Sequence, residues 1–239
     1  MAGHNKWSKI KHTKAVQDSK KAALFTKMAH NIALAARDRG GDPDKNFELR
    51  LAVDRAKSVN MPKENIDRAI KRGTGELNEG KLEELFYEGV GPAKTQFIIK
   101  SVTDNKNRAA ADIKHIFTKY GGGFGSVMWN FRQLGVIVLK QESLPESGLD
   151  ELELALIDSG SEDIEIRDGL WIIYTKPNQL RRVRDMIRDR GIALESAELE
   201  YLAQELLELS PDDQEKVEKF LEALDSCQDV ADYYTNFNY

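Results

Sequence analysis

The chain has 239 residues, 41% of them apolar and 31% charged, with a formal net charge of −5 and a single cysteine, Cys227. That composition is globular, rules out an internal disulfide or multi-cysteine zinc site, and contains no apolar run near the roughly 20 residues needed to span a bilayer. The net charge conceals an asymmetry: residues 1–75 carry 17 Lys and Arg against 8 Asp and Glu (net +9), and the remainder carries 18 against 32 (net −14). A basic interaction segment joined to an acidic body is the pattern this implies.

Residues 1–16 are basic without apolar periodicity and read as an extended arm; no apolar stretch follows the charged MAGHNKWSKIKH, so a secretory signal is not expected. From Asp18 the positions Ala22, Phe25, Ala29, Ile32 and Ala36 recur at helical spacing, with Gly40 as the stop. A second helix is expected from Asp42-Pro43, burying Leu49, Ala52, Val53, Ala56 and Val59, and a third from Pro62 to Gly73. The basic arm and these three helices make a first domain over residues 1–75. The pattern then changes: LFYEGV and TQFIIKSV read as strands across a Gly91-Pro92 turn, followed by a helix over 105–120 and a strand at SVMWNF. Residues 135–202 give strand, helix, two strands about Asp168-Gly169, helix and strand, which is the ferredoxin-like order. Ser210-Pro211 then opens an acidic helix, with a strand near VADYYTNF. The predicted fold class is α+β: an N-terminal three-helix domain followed by two ferredoxin-like α/β domains. One of these (81–132 plus 203–239, with a strand, helix and strand expected from 203–236) is interrupted by the other (135–202).

Three segments could carry chemistry. In the arm, Lys6, Lys9, Lys11 and Lys14 surround Trp7, and Lys20, Lys21 and Lys27 extend the charge along the first helix. Lysines of this kind neutralise phosphates and release counterions, and an indole stacks on an exposed base. Trp7 fits a packing role against the helices equally well. The segment TDNKNR places Asn105, Lys106 and Arg108 at a helix start, where free N–H groups and two cations form an anion site. The alternative is an exposed, solvated turn, with cations opposing the helix dipole by about 0.3–1 kcal/mol each. GGGFGSVMW is close to an RNA-recognition-motif strand, but Gly122 and Ser126 replace its basic and central aromatic residues; a helix-ending turn fits better. The four histidines lack metal-ligand spacing and no nucleophile or metalloprotease motif occurs, so neither an enzyme nor a cofactor is expected.

The segments MAGHNKWSKIKH, KAALFTKMAHNIALAAR, NMPKENIDRAIKRGTGE, YEGVGP and TDNKNR…FTKYGG together resemble the YebC/PmpR family. The resemblance covers essentially the whole chain and is densest over residues 1–125. It implies a helical domain and two α/β domains, one inserted in the other, in a regulator of transcription or translation. It also implies that TDNKNR is a working surface. Because the motif begins at Met1, without the leading extension of mitochondrial members, it implies a bacterial cytoplasm. Two departures stand out: Gly91-Pro92-Ala93-Lys94 occupies the place of the family's GPGG, and the glycine segment before SVMW is shorter.

The resulting expectation is a monomeric, cytoplasmic, non-enzymatic regulator that binds DNA or ribosomal RNA, with the ribosome as one possible setting and no membrane partner. No helix displays identifiable base-reading residues, which favours backbone or structured-RNA binding over sequence-specific readout. The competing reading is a protein-interaction adaptor whose acidic α/β body binds a basic partner.

Overall fold

The computed structural model describes residues 18–77, 80–145 and 147–237, with side chains from residue 22 onward. The described chain up to Asn130, rejoined from Ala203, forms one compact unit, and Phe131–Leu202 form a second.

The first unit begins with three helices, α1 (Asp18–Arg39), α2 (Phe47–Ser58) and α3 (Lys63–Gly73). α1 is apolar on two sides. Ile32 and Ala36 pack with Leu49, Val53 and Ala56 of α2 and Ile66 and Ala69 of α3. Ala33 and Leu34 instead meet Leu82 and Val102 of the α/β part. α3 crosses α1 so closely that a Cβ at Gly73 would lie 2.2 Å from the Ala33 carbonyl oxygen, so glycine serves helix contact there as well as helix ending. The second helix starts later than Asp42-Pro43. Residues 42–45 form a turn in which Asp42 accepts the Asp44 amide, and the N-cap is Asn46. Its side-chain oxygen accepts the Leu49 amide at 3.1 Å while its nitrogen donates to Ala35 and Gly40 carbonyls at 2.7 and 2.9 Å. One buried amide therefore caps α2 and ties down the end of α1, a double service that Asp42 cannot supply.

The α/β part carries the sheet β3-β1-β2-β8, from β1 (Glu83–Val90), β2 (Gln96–Thr103), β3 (Gly123–Phe124) and β8 (Val230–Thr235). Helices α4 (Lys106–Lys119) and α7 (Pro211–Ser226) bury Ile113, Phe117, Val217, Phe220 and Leu224 against Phe97, Ile99 and Tyr233 of one sheet face. Ser210 caps α7, accepting the Asp213 amide, as its Ser-Pro start predicts. Taking β2, β3, β1 and β8 as first to fourth strands reproduces the ferredoxin-like spatial order, but β1 comes ahead of the others in the chain.

Two expected strands are therefore corrected. Residues 126–131 do not make one: the Glu88 carboxylate accepts the Val127 and Met128 amides at 2.7 Å each, and Met128–Asn130 turns as a 3-10 helix. Amides claimed by a carboxylate are lost to a ladder. Nor does a strand lie between Ala203 and α7. Its place is taken by β1, which pairs with β2 from Glu83↔Thr103 to Val90↔Gln96 across the short 91–95 turn. A hairpin neighbour is closed at less entropic cost than a strand arriving from beyond residue 200.

In that turn Ala93 (φ 54°) and Lys94 (φ 63°) both adopt the left-handed conformation. Non-glycine residues are disfavoured there by Cβ crowding, which accounts for glycine at these positions in the GPGG pattern.

The second unit runs β4 (Phe131–Lys140), α5 (Leu149–Ser159), β5 (Ser161–Arg167), β6 (Leu170–Thr175), α6 (Leu180–Asp189) and β7 (Ser196–Ala203), with strand order β5-β6-β4-β7. This is the ferredoxin-like order in both chain and space. Asp168 (φ 52°) and Gly169 (φ 76°) form the tight turn between β5 and β6 that their sequence predicts. The fold is α+β, with seven α-helices and two four-stranded sheets among the described residues.

Candidate nucleic-acid interface

Of the residues expected to bind nucleic acid, Lys6, Trp7, Lys9, Lys11 and Lys14 lie outside the described residues. Lys20 and Lys21 fall in α1, but their side chains are likewise outside the description. Lys27 is a correction. It is 8% exposed, its ammonium donates to the Leu224 carbonyl at 3.4 Å, and it lies 3.8 Å from the Asp225 carboxylate. The cause is the second buried side of α1: Ala23, Lys27, His30 and Leu34 are all buried, at spacings of three and four. Lys27 thereby places a cation on the last turn of α7, where unpaired carbonyls and the helix dipole favour it. It holds two helices together and is not available to a phosphate.

The other cations of the three helices largely meet carboxylates of their own chain. Arg37 pairs with Asp38, Arg39 with Glu48, Lys45 with Asp42, Arg50 with Asp44 and Lys57 with Asp54, all within 3.5 Å. Residues 1–21 differ in composition: six lysines face one carboxylate, that of Asp18. Five of the nine excess charges of residues 1–75 are concentrated there.

The start of α4 also departs from expectation. Asn105 is the N-cap, its side-chain oxygen accepting the Arg108 amide at 3.0 Å, so it fills the place an anion would take. The Arg108 guanidinium grips Asp229 with Nε at 3.0 Å and Nη2 at 2.9 Å, and Nη2 also reaches Asp104 at 3.1 Å. Asp104 in turn accepts Arg72 of α3 at 2.9 Å, and Arg72 also donates to the Gly80 carbonyl at 3.3 Å. Asp229, just before β8, has only 4% of its side chain exposed. The expected anion site at Asn105, Lys106 and Arg108 is thus corrected. The fork that would hold a phosphate is occupied bidentately by a carboxylate, although Asn105, Lys106 and Arg108 all remain exposed.

The cluster has consistent electrostatics. Hydrogen bonding to Asp229, reinforced by that carboxylate's charge, raises the Arg108 pKa further above its usual value. Burial alone pushes Asp104 up, but hydrogen bonds from Arg72 and Arg108 hold its carboxyl below the ordinary range. His30 of α1 faces the same group; burial, aided by the Arg72 charge, depresses its pKa against the opposing pull of Asp229 and Asp104. One knot of His30, Arg72, Asp104, Arg108 and Asp229 therefore ties α1, α3, the β2–α4 junction and the approach to β8. Sequence reading missed His30, Arg72 and Asp229. The buried spacing of His30 with Ala23, Lys27 and Leu34 was the available signal for the first; Arg72 and Asp229 had none, being joined to the motif only by the fold.

The comparisons with known proteins agree along the whole chain. Residues 5–76 match the TACO1/YebC protein N-terminal domain, and residues 82–237 match the TACO1/YebC second and third domain. A relative from Caldanaerobacter subterraneus, named probable transcriptional regulatory protein, is 46% identical over 99% of this chain and 98% of its own length. One of the same name from Thermotoga maritima is 43% identical over 99% of this chain and 94% of its own. The crystal structure of a conserved hypothetical protein from Aquifex aeolicus superposes with a TM-score of 0.76 at 36% identity, covering 96% of this chain and 95% of that one. With both domain matches in order and relatives matched nearly end to end, this chain belongs to the TACO1/YebC family.

Proposed function

We propose that this protein is a non-enzymatic regulator of gene expression that binds nucleic acid, DNA or ribosomal RNA, through the lysines at its N-terminus. The observation that carries the proposal is the contrast in charge between residues 1–21 and everything after them. Across the described helices, cation after cation is matched by a carboxylate of the same chain, whereas residues 1–21 hold six lysines and one aspartate. Lysines in such sequence excess attract phosphate and release its counterions without reading base identity. The relatives named probable transcriptional regulatory proteins support the regulatory part of this reading. Absence of a helix long and apolar enough to cross a membrane among the described residues is compatible with it.

Affinity purification from cells, with parallel DNase and RNase treatment, tests the proposal. Nucleic acid should accompany the protein, and the nuclease that releases it identifies which kind. Recovery of proteins alone, unaffected by either nuclease, would overturn it.

A further inference from the structure

Trp129 is 63% exposed, the most exposed large apolar side chain among the described residues of the first unit. It is also held in place. Its indole N–H donates to the Ser126 carbonyl at 3.3 Å, and its own carbonyl accepts the Gln204 side chain at 3.1 Å. The amides before it are fixed by Glu88, and Val127 beneath them is buried. The next residue, Asn130, is buried and bonds Gln96 and both main-chain groups of Glu205. A large aromatic ring presented on a pinned turn has its rotational freedom already spent, which is the character of a binding anchor.

The surroundings of the ring decide what it would take. Residues 121–131 carry no charge, and 203–215 carry Glu205, Glu208, Asp212, Asp213 and Glu215 with no Lys or Arg. Leu206, 43% exposed, follows the two residues bonded to the Trp129 turn. The single indole donor is satisfied internally, so the ring offers its apolar faces and their negative quadrupole. An apolar ring on a turn bonded to this acidic segment disfavours phosphate and suits cations carried on aliphatic stems; Arg132, the first cation beyond the turn, is paired with Glu162.

We infer that the Trp129 turn with Leu206, Glu205 and Glu208 is a docking surface for a basic, Arg- and Lys-rich polypeptide segment with interspersed apolar residues. This surface lies apart from the N-terminal lysines and does not depend on what they bind. A partner cation stacks on the indole, its neighbours pair with Glu205 and Glu208, and an apolar residue covers Leu206.

The test is fluorescence anisotropy of a labelled synthetic peptide of alternating arginine and leucine, titrated with the full chain. Trp129→Ala should weaken binding about tenfold or more, as for an interface anchor, with Trp129→Phe intermediate. Glu205→Gln with Glu208→Gln should weaken it several-fold, while Glu218→Gln, an exposed carboxylate of α7 beyond the 203–215 segment, should leave it unchanged. Circular dichroism of each variant should match the parent, since the exchanged side chains are exposed. Equal binding by the parent and Trp129→Ala would overturn the inference, as would equal losses from the Glu218 variant. A Trp129→Ala protein that keeps the peptide but loses a single-stranded oligonucleotide would also overturn it, making the ring a base-stacking platform.

Discussion

Two basic segments of this chain invite the same phosphate-binding reading from sequence, and they differ in the carboxylates within reach of that reading. Residues 1–21 hold six lysines with a single carboxylate of their own. The start of α4 holds Lys106 and Arg108, and there Asp104 and Asp229 take up the arginine completely enough to build a junction. The α4 start shows that positive charge in a motif does not by itself indicate a phosphate site, because the fold can bring carboxylates to it. It also reassigns the TDNKNR motif: the segment that the family resemblance marks as a working surface fastens the helices to the sheet.

The largest expected effect falls on that junction. Arg108→Ala leaves Asp229 buried without a counter-charge and should lower stability by about 3 kcal/mol in urea unfolding. Lys106→Ala should stay within about 0.5 kcal/mol of the parent. Equal effects would dissolve the distinction between the two residues. Next comes the arm. Replacing Lys9, Lys11 and Lys14 by Ala should flatten the slope of log K against log salt by roughly two to three units, similarly across unrelated sequences. Lys27→Met should leave that slope unchanged, because its ammonium is engaged with α7.

A smaller effect belongs to the left-handed turn. Lys94→Gly should raise the melting stability by about 0.5–1 kcal/mol, because glycine adopts φ 63° without crowding. Ala93→Gly should gain less, since the Ala93 methyl also packs against the aromatic core. The gentlest is a pH dependence. His30 has a folded pKa below its unfolded value, so the unfolded chain binds the extra proton. Its contribution to stability is therefore complete above the unfolded pKa of about 6.5 and is lost as pH falls from there toward the depressed folded value. His30→Gln should flatten the stability profile between pH 7 and pH 5, and an unchanged profile would place the titration elsewhere.

What the sequence made legible was local. The span of α1, the Ser210-Pro211 start of α7 and the Asp168-Gly169 turn follow from periodicity, capping and positive-φ chemistry within a few residues. The order of strands in the second unit was legible for the same reason, because its elements alternate without interruption. Misreadings arose where a distant partner decides. Glu88 takes the amides of residues 127 and 128, and β1 occupies the place assigned to a strand after Ala203. At the candidate site, Asp229 meets Arg108 across 121 residues, a pairing that no spacing encodes. Lys27 was misread because a helix with two buried sides spreads its apolar positions over both, which hid the stripe on which the lysine sits.

The zipped turn around Asn130 has a consequence for how the chain accommodates its long excursion. Where the chain leaves the first unit, the Asn130 carbonyl accepts the returning Gln204 amide at 2.7 Å, and its side chain accepts that of Glu205 at 2.8 Å. The two ends of residues 131–203 are thus pinned one hydrogen bond apart by groups that belong to the host. For the host, the length of what lies between them enters only through a logarithm, so a doubling adds about 0.6 kcal/mol. A hairpin turn could take the place of the whole excursion without altering the register of β2 with β8. Such a doorway lets sequence change on one side of it proceed with little regard to the other.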